Sequence, residues 1–306
     1  MSTPLLRIGT RDSKLALWQA LQVQKKLENL GLATQLVPVK SPGDLDLSTP
    51  LHQFGTTGIF TKMLDVALEE NQVDLAVHSL KDYPTNIPQG LHLAAVLPRG
   101  AYRDVLIPKS DAAFLEEDGA EAMIATGSIR RIAQWKNRYP NHQTTNLRGN
   151  VQTRLRKLDE SNWQGAIFAK AGLERIGLLP ENYVELDWMI PAPAQGIVGI
   201  TCRATDQEMV HNLAQINDAT AFLQAKIERD FLNEVEGGCS APVGALTQLS
   251  KNNILLKAGV FALDGSSAII SEKEAPIKEA QNLGRITAQD VLKNGGAKIM
   301  ESIAND

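Results

Sequence analysis

Short apolar segments alternate with longer amphipathic segments near the start of the chain, and this alternation constrains the fold more than any other feature. Strands are predicted at residues 4–9, 33–39 and 73–79, and helices at residues 13–31 and 58–71. Strands and helices in alternating succession favour an α/β layer with largely parallel strand pairing. The first part of the chain is therefore expected to form one α/β unit.

The same alternation restarts after residue 121 and predicts a second α/β unit of similar size. Its predicted strands are residues 122–126, 142–147 and 165–169, and its predicted helices are residues 128–140, 150–160 and 170–178. Residues 190–200 then carry two prolines and two glycines around an apolar run. We expect this segment to cross back into the first unit.

The pattern changes after a predicted amphipathic helix at residues 218–236. Three short strands are predicted at residues 242–250, 253–265 and 267–274, with joints of hairpin length between them. A helix is predicted at residues 279–303, broken near Gly295 and Gly296. These elements indicate a small antiparallel α+β domain.

Composition narrows the classes of function. The chain is 43% hydrophobic and 22% charged, as in ordinary globular proteins. Its 306 residues are enough for two or three domains with real cores. Aromatic residues make up 5% of the chain and the net charge is -4, which disfavours nucleic acid as a partner. Cys202 and Cys239 lack metal-ligand spacing, so no metal site is expected. No signal peptide and no long apolar run is evident, and we expect a cytoplasmic protein without membrane contact.

Three predicted strand-to-helix junctions share hydroxyl groups and arginines. Ligands of α/β sheets bind at such junctions, where free N–H groups and the helix dipole favour anions. Helix caps with solvated arginines are the alternative for any single junction. Three together favour a ligand with several negative charges, and no nucleotide-binding glycine loop is present. The residues concerned are Thr10, Arg11, Asp12 and Ser13; Thr126, Gly127, Ser128, Arg130 and Arg131; and Arg148, Gly149, Asn150 and Arg154.

The segment VHSLKDYP, residues 77–84, places His78, Lys81 and Asp82 close together at the end of a predicted strand. A carboxylate beside cationic groups can move a proton or stabilise a cation formed in a reaction. A turn aspartate and a core histidine are the structural alternatives. Asp82 is the candidate catalytic residue of this segment.

A cysteine in a turn forms the last candidate site. The segment EGGCSAPVG, residues 236–244, has two glycines before Cys239 and a proline after it, directly after a predicted helix. The simplest interpretation is a buried, inert thiol. A cysteine nucleophile with His78 as its base is another, although no local signature of a cysteine enzyme is present.

Eight motifs in order along the chain resemble those of the porphobilinogen deaminases, also called hydroxymethylbilane synthases. They are LRIGTRDSKLALWQA, GIFTK, VDLAVHSLKDYPT, TGSIRR, LRGNVQTRL, AGLERIGL, PAPAQGIVGI and EGGCSAPVGA. The resemblance covers essentially the whole chain. It implies an enzyme of porphyrin and heme biosynthesis that joins four porphobilinogen molecules head to tail, with loss of ammonia, and releases a linear tetrapyrrole by hydrolysis.

The resemblance also implies a domain organisation. Two α/β domains, each a mixed sheet flanked by helices and similar to periplasmic binding proteins, would comprise residues 1–98 with 197–215, and residues 102–191. An α+β domain with a three-stranded antiparallel sheet would comprise residues 218–306. A monomer is expected, with its product passed to a uroporphyrinogen-forming synthase.

Site residues follow from the resemblance as well. Cys239 would carry a dipyrromethane cofactor through a thioether bond, and Asp82 would be the catalytic carboxylate. Cofactor-binding residues would be Ser13, Lys81, Thr126, Ser128, Arg130, Arg131, Arg148, Gly149 and Arg154. Substrate-binding residues would be Arg11, Arg148, Arg154 and Gln195.

One position departs from the family pattern. Thr57 stands where these enzymes commonly have a lysine, so a carboxylate contact by charge is not available there. This residue belongs to a polar segment, residues 40–58, whose length predicts a functional or mobile loop.

A two-lobed anion-binding protein without chemistry is the rival from another class. It accounts for the paired α/β units and the arginines at helix N-termini. It accounts for neither the cysteine turn nor Asp82, and such a protein normally has an export signal.

Overall fold

The computed structural model describes residues 5–39, 61–117, 119–235 and 241–305. Thirteen strands in these residues form three sheets. They are β1 (Leu6–Thr10), β2 (Thr34–Pro38), β3 (Leu75–Ser79), β4 (Leu91–Val96), β5 (Asp104–Pro108), β6 (Met123–Ala125), β7 (Gln143–Thr145), β8 (Gly165–Ala169), β9 (Val184–Glu185), β10 (Val198–Arg203), β11 (Val243–Ser250), β12 (Asn253–Phe261) and β13 (Ala268–Pro276).

Nine α-helices lie within the same described ranges. They are α1 (Lys14–Glu28), α2 (Lys62–Glu69), α3 (Ile129–Arg138), α4 (Val151–Glu160), α5 (Lys170–Glu174), α6 (Gln207–Ala214), α7 (Ala219–Glu234), α8 (Leu283–Val291) and α9 (Ala297–Asn305). Across these ranges the structure contains no helix that is both long enough and apolar enough to span a membrane.

The first lobe is built on a five-stranded sheet with the order β2-β1-β3-β10-β4. Strand β1 pairs in parallel with β2 and β3, whereas β10 runs antiparallel to β3 and β4. Because β10 follows the second lobe in the chain, the chain returns to the first sheet at Val198. The prediction that residues 190–200 cross back is therefore confirmed.

The second lobe has a five-stranded sheet of the same design, with the order β7-β6-β8-β5-β9. Strand β6 pairs in parallel with β7 and β8, and β5 runs antiparallel to β8 and β9. In each lobe the three parallel strands are thus extended by an antiparallel strand, β10 in the first and β5 in the second. Each of these strands follows a connection between the lobes along the chain. The carboxyl ends of the parallel strands carry the junctions singled out in the sequence.

The third unit is an antiparallel meander, β11-β12-β13, covered by α7 and α8. Its core includes Ile227 and Phe231 of α7 and Val291 of α8. The two helices cross closely, since a Cβ on Gly284 would lie 2.1 Å from the carbonyl oxygen of Ile227. The predicted break in the last helix is confirmed: Gly295 has φ 116° in a π turn between α8 and α9.

Four elements were not predicted, namely β4, β5, β9 and α6. Strand β5 is buried along its whole length, but no strand was predicted between residues 79 and 122. The helix predicted at residues 170–178 is also shorter, because α5 ends at Glu174 and Gly177 has φ 67°. The predicted α/β and α+β fold class is confirmed by the three sheets. The predicted loop at 40–58 lies outside the described residues, and the domain boundaries stay predictions.

Candidate active site

The two connections between the lobes, which contain Gly100 and Gly196, lie side by side. The N–H of Gly100 donates to the carbonyl of Gly196 at 3.0 Å, and the guanidinium of Arg175 donates to the same carbonyl at 2.6 Å. Ala194 and Gly196 both have positive φ, 60° and 87°. A Cβ on Gly196 would lie 2.8 Å from the carbonyl oxygen of Ala101, so the close approach of the two connections requires glycine there.

Gln195 joins the first lobe to the second. Its Oε1 accepts a hydrogen bond from Lys81 Nζ at 3.2 Å, and its Nε2 donates to Asp104 Oδ1 at 2.9 Å and to the carbonyl of Tyr102 at 2.8 Å. The residue is 1% exposed. The structure therefore places Gln195, which we predicted to bind substrate, inside the junction between the lobes with its amide already engaged.

Asp104 contacts Arg130, Arg131 and Gln195 at this junction, and it was not among the site residues predicted from the sequence. Arg131 donates to its Oδ1 through Nη2 at 2.8 Å and through Nε at 3.1 Å. Arg130 places Nη1 2.8 Å from Oδ2 in an ion pair and donates to the carbonyl of Ile190. Burial alone would raise the pKa of Asp104, but the charges of Arg130 and Arg131 outweigh it and hold that pKa below its usual range.

The two arginines predicted to bind ligand carboxylates are thus both in contact with a carboxylate of the chain itself. Arg130 and Arg131 are buried, and each also donates to a backbone carbonyl. The signal for Asp104 in the sequence was a charged residue directly before the apolar run of β5. That signal is weak because a single aspartate at the edge of a strand is common in turns.

Lys81 comes from the turn that follows β3. The pKa of its ammonium group is lowered to about 8, mainly by burial; the carboxylates of Asp82 and Asp104 oppose the shift, and the charges of Arg131 and Arg130 add to it. Desolvation penalises a cation, so this direction is the expected one. A lysine with this pKa is still mainly cationic at neutral pH.

Asp82 ends a 3-10 turn, Leu80–Asp82, and its side chain is exposed. Leu80 anchors the turn, because its side chain is buried and its N–H donates to the carbonyl of Ile197 at 3.0 Å. The carboxylate charge acts on Lys81 of the same lobe and on Arg154 of the second lobe. Asp82 is therefore within electrostatic range of both walls of the cleft between the lobes.

The second lobe contributes its cations from the start of α4. Asn150 caps this helix by accepting from the N–H of Thr153 at 2.9 Å, and Arg154 Nε donates to the carbonyl of Gly149 at 2.7 Å. Gly149 has φ 113°, and a Cβ there would lie 2.7 Å from Thr153 Cγ2. The turn thus requires glycine and brings Arg148, which is buried, next to Arg154.

Arg154 shows which charges share the cleft. Its pKa is lowered to about 10, mainly by burial; the charges of Arg131, Arg148 and Arg11 add to the shift, and the charge of Asp82 opposes it. Arg11 comes from the junction after β1, so cations from both lobes act on one guanidinium. The structure therefore places Asp82 and predicted cationic residues of both lobes within electrostatic range of Arg154.

The predicted hydroxyl residues have more local contacts. Ser13 caps α1 by accepting from the N–H of Ala16 at 3.3 Å, and Thr126, which is buried, accepts from the N–H of Ser128 at 3.3 Å. Ser128 begins α3 without a side-chain cap bond. The capping interpretation thus holds for Ser13, while Ser128 presents a hydroxyl at a helix N-terminus, where anions are favoured.

His78 and Cys202 are core residues. His78 is buried, its Nε2 lies 3.0 Å from Thr201 Oγ1, and its ring packs against Tyr83. Burial, with the charges of Arg11 and Arg229, lowers the pKa of His78 to about 3, so the ring is neutral. Cys202 is buried in β10, and burial raises the pKa of its thiol to about 11. Cys239 lies outside the described residues.

The fold and the geometry define a class: a protein of two α/β lobes and a smaller α+β unit, with a cation-lined cleft around one carboxylate. Two family models match the chain. The porphobilinogen deaminase, dipyromethane cofactor binding domain matches residues 6–211, and the porphobilinogen deaminase, C-terminal domain matches residues 222–293.

Two curated relatives match over nearly their whole length. The porphobilinogen deaminase of Syntrophotalea carbinolica is 38% identical over 307 residues, covering 99% of this chain and 97% of the relative. That of Syntrophomonas wolfei is 38% identical over 299 residues, covering 96% and 97%. The chain therefore belongs to the porphobilinogen deaminase family. It is an enzyme of the transferase kind in porphyrin and heme biosynthesis, with a dipyrromethane cofactor binding domain.

Solved structures with partial overlap include periplasmic proteins. The methionine binding protein MetQ overlaps with a TM-score of 0.45 at 14% identity, covering 74% of this chain and 95% of MetQ. The periplasmic VFT2 domain of BvgS from Bordetella pertussis overlaps with a TM-score of 0.43 at 10% identity, covering 70% and 87%.

Proposed function

We propose that the chain is a hydroxymethylbilane synthase. It joins four porphobilinogen molecules head to tail on a bound dipyrromethane primer, releases one ammonia for each, and then releases the linear tetrapyrrole by hydrolysis. The observation that carries the proposal is that Arg11, Arg131, Arg148 and Asp82, from two lobes, all act on the charge of Arg154, while Asp82 also acts on Lys81. Family membership supports the same reaction.

These cations suit a ligand with many carboxylates. Each pyrrole unit brings an acetate and a propionate, and a hydrogen bond between charged partners contributes about 1.5–3 kcal/mol. The planar donors of arginine match a carboxylate in a fork. We propose Arg11, Arg148 and Arg154 as carboxylate-binding residues for substrate and growing chain, with Ser13, Thr126, Ser128 and the Gly149 backbone as further donors or acceptors.

The same donor set fits the dipyrromethane, which itself carries acetate and propionate groups. Lys81, Arg131, Arg148 and Arg154 would hold it, and Arg130 and Gln195 would support them from the junction between the lobes. When bound, the cofactor supplies the pyrrole position to which the first substrate is joined. Cys239 is proposed as its covalent attachment point, although this residue lies outside the described part of the chain.

Asp82 is proposed as the catalytic carboxylate. Loss of ammonia from a porphobilinogen leaves a positive charge shared with the ring nitrogen, and a carboxylate beside that nitrogen stabilises it. After the new carbon–carbon bond forms, a ring proton must leave, and Asp82 can accept and transfer it. The neighbouring cations hold the substrate carboxylates and keep the reacting ring oriented toward Asp82.

Turnover tests the catalytic role. Asp82→Asn is expected to fold normally, because the side chain is exposed, and to lose nearly all formation of tetrapyrrole and ammonia. Asp159→Asn is the matched control, since Asp159 is an exposed aspartate on α4. Near-normal turnover of Asp82→Asn would remove this residue from the catalytic role. Binding of porphobilinogen without any ammonia release by the unaltered protein would instead favour an anion-binding protein without chemistry.

Intact mass tests the attachment point. The purified protein is expected to carry a covalent dipyrromethane that reacts with Ehrlich's reagent, and Cys239→Ser is expected to lose it. Cys202→Ala is the control and is expected to keep the adduct, because Cys202 is a buried core thiol. An unmodified Cys239 in active enzyme would contradict the proposal. The monomeric state, the cytoplasmic location, the domain boundaries and transfer to a uroporphyrinogen-forming synthase stay predictions.

A further inference from the structure

A guanidinium from the third unit holds the backbone of the turn that carries Asp82. Arg229 of α7 donates through Nη1 to the carbonyl of Tyr83 at 2.8 Å and to that of Leu80 at 3.4 Å. Through Nη2 it donates to the carbonyls of Pro84 at 2.5 Å and Thr85 at 3.4 Å. One side chain thus bonds carbonyls on both sides of Asp82.

The turn needs such an external partner. A 3-10 helix of three residues, Leu80–Asp82, has few hydrogen bonds of its own; one of them joins the N–H of Tyr83 to the carbonyl of Leu80, at 3.2 Å. Pro84 has no N–H to donate and ends the helical geometry. Buried carbonyls without donors cost free energy, so the donors of Arg229 stabilise this conformation of the turn.

The first lobe holds the same turn through side chains. Tyr83 donates its hydroxyl to Asp65 Oδ1 at 3.1 Å, and its ring lies 4.5 Å from that of His78. These contacts fix the direction of the Tyr83 side chain, but they leave the backbone carbonyls of residues 83–85 to Arg229. The position of Asp82 therefore depends on an arginine from a different unit of the fold.

We propose that Arg229 is a positioning residue for Asp82, which acts by fixing the backbone on both sides of that carboxylate. The proposal rests on the catalytic role proposed above for Asp82. Arg229 acts through the turn, not through the reacting atoms. Its removal is expected to change the rate of the chemical steps more than the binding of substrate, because the cations of the cleft stay in place.

The first test compares Arg229→Gln with Gln224→Leu. Gln224 is a matched control: it lies five residues earlier in α7, has the same 8% exposure, and donates to the carbonyl of Thr247 within the third unit. Arg229→Gln is expected to lower kcat by about 10²-fold, the scale of a misplacement of about 1 Å, with KM changed by less than about threefold. Gln224→Leu is expected to retain kcat within about threefold.

Hydrogen–deuterium exchange gives a readout that does not depend on activity. In Arg229→Gln, amides of residues 80–86 are expected to exchange faster by about tenfold or more, whereas those of the β11–β12 hairpin stay protected. In Arg229→Lys, which keeps the charge and loses the planar fork of donors, the exchange rates of these amides are expected to fall between those of the unaltered protein and those of Arg229→Gln. An equal loss of protection in both regions would show a general role in folding and overturn the proposal.

A double-mutant cycle separates this proposal from the one on which it rests. In an Asp82→Glu background, where the carboxylate is already displaced, Arg229→Gln is expected to lower kcat by less than about threefold, since residues that act through one another are not additive. A full additional 10²-fold loss would overturn the positioning role while leaving Asp82 catalytic. Retention of turnover in Asp82→Asn would instead overturn the catalytic role itself.

Discussion

Replacing Asp104 with asparagine tests whether one buried carboxylate organises the cations at the junction between the lobes. The change keeps the shape of the side chain and removes its charge. Arg131 then loses an anionic acceptor for two hydrogen bonds, and Arg130 loses its ion-pair partner 2.8 Å away. Gln195, which donates to the same carboxylate, is left with a weaker acceptor.

The expected loss of stability follows from complete burial. Asp104 is 0% exposed, and both arginines are nearly as deep. Breaking a buried ion pair by removing one partner costs on the order of 3–5 kcal/mol, because the remaining charge is buried without compensation. Glu160→Gln is the matched control in the same lobe: its pair with Arg156 is exposed on both sides, and such pairs contribute about 0.3–0.5 kcal/mol.

Urea unfolding followed as a function of pH measures the effect. The pKa of Asp104 is lowered in the folded protein, so its charged form contributes stability above the unfolded pKa of about 3.9, and this contribution is lost as pH falls through the folded pKa. The difference between the two proteins is therefore expected in full at pH 7 and should shrink only in strong acid.

A loss of less than about 1 kcal/mol at pH 7 would refute this reasoning, since that is the value for an exposed pair. It would mean that Arg130 and Arg131 find other acceptors when the charge of Asp104 is removed. A difference that grows as pH falls from 7 to 4 would also refute it, because the sign would then be that of a carboxylate with a raised pKa.

Two further predictions concern other charged groups. Burial raises the pKa of Asp65 to about 6, so the fold favours its protonated form, and this contribution to stability is lost as pH rises through 6. Asp65→Asn should therefore raise the free energy of unfolding at pH 8 by up to about 3 kcal/mol and leave it unchanged at pH 4. A gain in stability that persists at pH 4 would contradict this. Arg154→Leu should lower tetrapyrrole formation at least about tenfold, as expected for the loss of one charged hydrogen bond, without loss of thermal stability. Arg156→Leu, on the exposed side of the same helix, should not change the rate of tetrapyrrole formation. Equal rates in both variants would remove Arg154 from carboxylate binding.

Much of the fold could be predicted because local patterns specify it. The strand at residues 165–169 and the breaks at Gly31 and Gly295 follow from apolar runs and from glycines with positive φ. The return of residues 198–203 to the first sheet was also predictable, since an apolar run follows the prolines and glycines of the connection. Strand β5 was missed because it is a short apolar run without alternation, and periodicity alone does not identify such a run as a strand.

The candidate site, like the fold, could be predicted from the sequence only in part. The sequence by itself determined which residue types stand at the strand ends, because arginines, hydroxyls and Asp82 follow predicted strands at the positions where an α/β sheet binds anions. Only the tertiary structure decided which of these cations form ion pairs with a carboxylate of the chain itself. Asp104 is 27 residues from Arg131 and 91 from Gln195, and no local pattern relates residues at such separations. Whether two buried charges form a pair depends on their distance in space and on their desolvation. Both are set only once the second lobe has folded and Gln195 of the connection has packed against it.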